Sequence, residues 1–210
     1  MSCLLAIETS CDETAAAILT LENEPKVLSE RISSQIKLHA EYGGVVPELA
    51  SREHLRNLPL IVEQVFLDAN KTFNDIEVIV ATAGPGLLGA LLMGHTYGKG
   101  LAIASVKPFL PINHIEGHIW APFLDNAEFK DPFLCIVVSG LHTEIVKVSG
   151  FGKYEYLSRT IDDAVGEAFD KSSYLLGFPY PGGAKLAEVA DEFAKKFGDD
   201  FVSEKFVLPK

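Results

Sequence analysis

Cysteine is scarce in this chain of 210 residues: Cys3, Cys11 and Cys135 form an odd set with no CxxC spacing. That argues against a disulfide framework or a thiolate metal site and leaves three reduced thiols. Long apolar runs are missing too. The longest, around Gly86 to Leu92, is broken by glycines and falls far short of the ~20 residues that cross a bilayer, so no membrane role is expected. The opening Met1-Ser2-Cys3-Leu4-Leu5 carries no basic leader, and the expected address is the cytoplasm. Positive charge is also short, with 18 Lys and Arg against 29 Asp and Glu, a net charge of −11. A protein that grips a phosphate backbone unaided shows a basic surface. Lys99, Lys107, Lys195 and Lys196 are too scattered to make one and read as solvated faces. What remains is ordinary globular material, 48% apolar and 22% charged, long enough for one large domain or two small ones.

Against that background the run Asn113-His114-Ile115-Glu116-Gly117-His118 stands out. On a helix the two imidazoles lie four positions apart on one face, where they can share one transition-metal ion. The other reading of the pair is one capping histidine and one packed histidine. Glu116 points to the opposite side, so this is not the zinc-protease pattern in which Glu directly follows the first His.

In chain order, Leu4 to Glu8 and Ala15 to Leu21 read as two strands of a hairpin whose tip is Thr9-Ser10-Cys11-Asp12-Glu13-Thr14. Such a tip is either a solvated turn or a holder for a phosphate or hydrated cation. A third strand over Val27 to Ser34 precedes a glycine turn at Gly43-Gly44, and Pro47 opens a helix from about Glu48 to Asn70 with an apolar stripe. Arg52 and His54 are expected at its surface. A buried strand from Ile76 to Ala83, the turn Gly84-Pro85-Gly86 and a helix from Leu87 to about Ala104 follow, a geometry that presents amides to an anion. The glycines of that helix, Gly89, Gly94, Gly98 and Gly100, suggest close packing. Pro108 to Asn113 makes the next strand, with a helix from His114 to Phe123 ending near 125–126. Two strand-helix units in succession imply parallel pairing.

At Phe133 the scheme begins again: a strand to Val138, the tip Ser139-Gly140-Leu141-His142-Thr143, a strand over Ile145 to Val148 and a third near Tyr154 to Leu157. Thr160 is expected to cap a helix that carries Asp162 and Asp163 in its first turn and runs to about Leu176. A proline-glycine turn then leads into a helix from Ala184 to Phe197. The boundaries are therefore 1–131 for a first α/β domain and 132–210 for a second, which lacks the later strands and helices of the first and is expected to be incomplete.

Two domains that each open on a hairpin with a polar tip resemble the actin-like ATPase (ASKHA) superfamily, α/β folds in which duplicated mixed-sheet domains face each other across a nucleotide cleft. Particular runs narrow the resemblance: IETSCDET at 7–14, HAEYGGVVPELASREH at 39–54, TAGPGL at 82–87, HIEGH at 114–118, and IDDAVGEAFDK at 161–171 followed by YPGG at 180–183. Together they are similar to the TsaD family, across essentially the whole chain but only about the first two thirds of a usual member.

The resemblance implies a threonylcarbamoyltransferase. It would move a threonylcarbamoyl group from threonylcarbamoyl-AMP to N6 of the adenosine beside the anticodon, in tRNAs reading codons that begin with A. It implies that His114 and His118 bind one divalent ion, Fe2+ or Zn2+. Val137, Val138, Ser139, Gly140, Leu141, Asp170 and Gly183 would hold threonylcarbamoyl-AMP or an ATP-like ligand, and Asp12 and Glu13 match acidic positions tied to activity. The implied partners are tRNA, a TsaB-like paralogue and a TsaE-like ATPase, with homodimerisation left open. Leu141 stands where the family shows a second glycine; if that position needs φ > 0, leucine costs about 1–2 kcal/mol. The competing readings are a catalytically inactive interaction subunit, for which the paired histidines are not needed, and an actin-like kinase or ATPase, in which the HIEGH run has no role. Last comes a metallopeptidase, for which Glu116 is badly placed as general base.

Overall fold

The computed structural model describes residues 2–22, 24–124, 130 and 132–198, and the chain divides into two compact units, 1–131 and 132–210. The first unit is built on the five-stranded mixed sheet β3-β2-β1-β4-β5. Its strands are β1 (Cys3–Glu8), β2 (Glu13–Thr20), β3 (Val27–Ser34), β4 (Ile76–Gly84) and β5 (Phe109–Asn113). β1 pairs antiparallel with β2, as the short tip between them requires, and parallel with β4, which pairs parallel with β5.

The strict alternation of buried and half-buried residues along β1 and β2 puts Cys3, Leu5, Ile7, Ala16 and Ile18 on the face covered by helices. Leu58, Ile61, Val62, Val65 and Phe66 of α2 (Pro47–Ala69) fill that core. Pro47 occupies the first turn of α2, where its missing N–H is harmless, and Asn70 ends the helix in the left-handed region at φ 51°. Beside it α3 (Leu88–Ser105) lies close to the sheet: a Cβ at Gly98 would stand 3.2 Å from the Phe109 ring and 3.4 Å from Ala81. Gly100, also expected to pack closely, faces open space instead.

A short helix that the pattern does not signal, α1 (Ile36–Ala40), precedes α2 and buries His39. The helix at the histidine pair, α4 (His114–Trp120), begins directly at the end of β5 and passes at Trp120 into a 3-10 turn over Ala121–Phe123. It is thus shorter than expected, and the expected end near 125–126 lies outside the described residues.

The second unit repeats the opening. β6 (Phe133–Val138), β7 (Thr143–Val148) and β8 (Tyr154–Ser158) form an antiparallel sheet with the second strand in the middle, as in β3-β2-β1. Helices α5 (Val165–Leu175) and α6 (Gly183–Phe197) follow. The N-cap of α5 is Ala164, not Thr160. Thr160 is drawn away by the sheet: its hydroxyl accepts from the Thr143 amide at 2.7 Å and donates to the Thr143 carbonyl at 3.2 Å. Phe206 to Lys210 lie outside the described residues.

Candidate functional site

The histidine pair is positioned by two features of α4, its cap and its buried anchors. The Asn113 side chain caps the helix, accepting from the amides of Ile115 (2.9 Å) and Glu116 (3.1 Å). Ile115 and Ile119, one turn apart, are both buried and anchor it. Those anchors leave His114 and His118 on a common face, with ring centroids 4.5 Å apart and Nε2 atoms separated by 3.1 Å. Two imidazole nitrogens sharing one ion at ordinary bond lengths lie about 2.9–3.4 Å apart for bond angles between octahedral and tetrahedral. The observed separation falls in that range, and in this structure the two Nε2 atoms are hydrogen-bonded to each other. Among the described residues no group of three or more His, Cys, Asp or Glu gathers around a common point, so these residues supply two donors.

Behind His114 stands a residue that sequence reasoning did not single out. The Glu8 carboxylate, at the end of β1, accepts from His114 Nδ1–H at 3.3 Å and is also held by the Ser10 amide and the Thr82 hydroxyl. Burial raises the pKa of this carboxyl, but the hydrogen bonds from His114, Ser10 and Thr82 outweigh burial and hold it at about 2. The available signal is that Glu8 is the one charged residue in the otherwise apolar run of β1.

The first tip is fastened at nearly every residue. The Thr9 hydroxyl enters the backbone ladder of α3, donating to the Ala90 carbonyl (2.8 Å) and accepting from the Gly94 amide (3.1 Å). The Ser10 carbonyl accepts from the Leu87 amide at 2.8 Å, and the Asp12 carbonyl from the Gln35 amide at 2.9 Å. His54 is fully buried, contrary to the surface placement expected from its type. Its Nε2–H donates to the Cys11 carbonyl at 2.9 Å, and its Nδ1 accepts from the Thr14 hydroxyl at 2.8 Å. Burial pushes its pKa down and keeps the ring neutral. The buried His39 joins the same cluster, donating through Nε2–H to Gln35 at 3.1 Å. Burial beside the Asp12 carboxylate pushes the Cys11 thiol up to about 12. With the backbone so held, the Asp12 side chain is half-buried at the tip and Glu13 is exposed at the start of β2.

In the second unit, Val137 is buried, Val138 exposed, and Ser139 to His142 close the turn. The Ser139 hydroxyl accepts from the amides of His142 (3.0 Å) and Leu141 (3.4 Å), and its carbonyl accepts from Gly166 in the first turn of α5 at 3.1 Å. Leu141 is not among the residues at positive φ, so the anticipated strain at this position does not arise. Asp170, one turn beyond Gly166 on α5, accepts through Oδ1 from the amides of Gly182 (3.0 Å) and Gly183 (2.8 Å). The second unit thus brings Asp170 and Gly183 together, with Asp170 one helical turn from the Gly166 amide that holds the tip.

Two units, each opening on a three-stranded element whose polar tip is docked against the start of a helix, define an α/β protein of the actin-like class. Solved structures share the fold: a Pseudomonas aeruginosa protein similar to the peptidase YeaZ (TM-score 0.51) and YeaZ itself from that organism (0.50). Each is 17% identical and covers 76% of this chain and 66% of that one. The chain belongs to the TsaD family, whose model, described as tRNA N6-adenosine threonylcarbamoyltransferase, matches residues 26–207. Proteins of that name from Pelobacter propionicus (53% identical over 190 residues) and Clostridium perfringens (52% over 189) are each matched over 90% of this chain and 55% of theirs. The chain spans about half the length of the curated relatives it matches. No helix among the described residues is long and apolar enough to cross a membrane.

Proposed function

We propose that this chain provides the metal-holding and nucleotide-holding parts of a tRNA N6-adenosine threonylcarbamoyltransferase. In the reaction, N6 of the target adenosine forms a bond to the carbamoyl carbon of threonylcarbamoyl-AMP. The bond from that carbon to the phosphate oxygen breaks, AMP leaves with the electron pair, and N6 loses a proton. A mixed anhydride of this kind is already activated, so the protein has mainly to position the carbonyl and stabilise the charge that develops on its oxygen.

The observation that carries the reading is the pair of imidazoles with Nε2 atoms 3.1 Å apart on a capped and anchored helix, in a chain that the family model matches over residues 26–207. His114 and His118 would hold the ion, Fe2+ or Zn2+, which when bound supplies a Lewis acid for the carbonyl oxygen. Val137, Val138, Ser139, Gly140 and Leu141, with Asp170 and Gly183, would bind threonylcarbamoyl-AMP. Asp170 orders the Gly182 and Gly183 amides at the start of α6. Asp12 would act from the fastened first tip, with Glu13 beside it. The surplus of acidic residues is in keeping with a tRNA surface shared with partners, a TsaB-like paralogue and a TsaE-like ATPase. A cytoplasmic address completes the reading, with homodimerisation left open.

The test supplies tRNA, threonylcarbamoyl-AMP and the paralogous partner, and looks for N6-threonylcarbamoyladenosine by mass spectrometry of the digested tRNA. Product that is lost in His118→Ala supports the reading. No product with the full partner set removes catalysis from this chain. The competing role, an inactive interaction subunit, would be established by a stable heterodimer that binds no stoichiometric metal.

A further inference from the structure

We infer that Glu8 is a positioning residue for the two-histidine centre: it takes the Nδ1 proton of His114, so that the His114 Nε2 lone pair is presented toward His118. The inference rests on the reading that these histidines hold a metal ion, and extends it to a residue that reading does not use.

A neutral imidazole carries one proton on either of two nitrogens, and only the nitrogen without it can donate a lone pair to a metal. Which nitrogen keeps the proton is set by the hydrogen bond the ring makes on its far side. Here that partner is a carboxylate, which accepts and cannot donate, 3.3 Å from His114 Nδ1. Nδ1 must therefore bear the proton, and Nε2 carries the lone pair, accepting from its counterpart in His118 at 3.1 Å. The sequence alone does not reach this result, because Glu8 and His114 are 106 positions apart.

Glu8 is itself poorly able to turn away. The Ser10 amide holds Oε1, and the Thr82 hydroxyl holds Oε2, the oxygen that also faces His114. Ser10 belongs to the first tip, whose carbonyl is fastened to Leu87, and Thr82 lies on β4 next to β1. The orientation of one metal-binding ring is thus referred back to two central strands rather than to α4 alone. A carboxylate behind the ring also makes it a more basic donor and offsets part of a dication's charge.

A purely structural role is the alternative: Glu8 satisfies Ser10 and Thr82, and His114 is only a neighbour. The experiment separates the two with the full 210-residue chain, using Zn2+ and Co2+ alone as probes. Affinity is read by competition with a chromophoric chelator, and the His114 tautomer of the metal-free chain by 15N–1H correlation spectroscopy above pH 8. The expected result is one equivalent bound by the unaltered chain, binding abolished in His118→Ala, and affinity about 10–100-fold weaker in Glu8→Gln. The Nδ1–H tautomer of His114 should dominate in the unaltered chain and give way to a mixture in Glu8→Gln. If Glu8→Gln does not fold, Thr82→Val loosens the same carboxylate and is expected to weaken binding severalfold. Unchanged affinity and tautomer in a folded variant, with His118→Ala still abolishing binding, overturns the role of Glu8 and leaves the metal reading intact. No binding by the unaltered chain overturns both.

Discussion

The tip after β1 and the tip after β6 share one fastening. In each, a serine carbonyl, that of Ser10 or Ser139, accepts an amide from the start of a helix, Leu87 or Gly166. In each, a glycine lets the helix approach: a Cβ at Gly86 would stand 2.6 Å from the Ser10 oxygen, and one at Gly166 2.5 Å from the Ser139 oxygen. Beyond that the tips part. The first is tied to distant elements by its own Thr9 hydroxyl, which enters the ladder of α3, and by the His54 ring of α2 against Cys11 and Thr14. The second is closed by its own Ser139 hydroxyl and by Thr143, whose Oγ1 accepts from the Val165 amide at 2.8 Å. The contrast is in keeping with the roles proposed for them: a rigid base for an acidic side chain and for the carboxylate behind His114, against a lightly braced loop of backbone amides for a nucleotide.

The comparison can be broken most forcefully at Gly86. Its φ of 154° suits glycine, so Gly86→Ala combines backbone strain with a clash against Ser10 and is expected to destabilise the first unit by about 2–4 kcal/mol. The single tryptophan, Trp120, lies in that unit and reports its urea transition by fluorescence. A midpoint shift no larger than that of Gly100→Ala, at an open position, would show that the tip is not held as described.

His54→Ala comes next. It leaves the Cys11 carbonyl and the Thr14 hydroxyl without their partner and opens a cavity, a loss of about 2–4 kcal/mol by the same assay. His54 also gives the first unit a pH signature. Burial depresses its folded pKa below the ordinary value of 6.5, so the unfolded chain binds the proton first. The contribution is present above 6.5 and is lost as pH falls below it toward the folded value. A His54→Gln variant should lose that part of the acid slope, while a slope identical to the unaltered chain's would contradict a neutral buried ring.

Gly166→Ala sharpens the comparison from the other side. With a clash but no positive φ, it is expected to cost the second unit about 1–3 kcal/mol, read by far-UV circular dichroism with Trp120 fluorescence unmoved. Ser139→Ala removes one intra-tip acceptor and should cost only about 0.5–1.5 kcal/mol. The smallest effect is chemical. With its pKa near 12 the Cys11 thiol should resist iodoacetamide at pH 8 in the unaltered chain and become reactive in His54→Ala, as mapped by peptide mass spectrometry.

Much of this molecule is legible in its residues. Alternation over 3–20 and 133–148 gives both hairpins to within two residues at each end, and the i, i+4 histidines after Asn113 give a helix with both rings on one face. Elements whose pattern is weak or local were less legible: the five-residue α1, and Thr160, a good helix cap by type that bonds to Thr143 instead. His54 looked like a surface residue because nothing within α2 asks for a buried imidazole. The demand comes from Cys11 and Thr14, 43 and 40 positions away.

The sequence by itself thus determined the strands, the longer helices, the repeated plan and the histidine pair, because backbone periodicity acts between neighbours a few residues apart. Only the tertiary structure decided what stands behind those histidines and beneath the first tip. Parallel pairing of β1 with β4 and of β4 with β5 brings Glu8, Thr82 and His114 to adjacent strand ends. A half-buried carboxylate there must find donors wherever the fold supplies them.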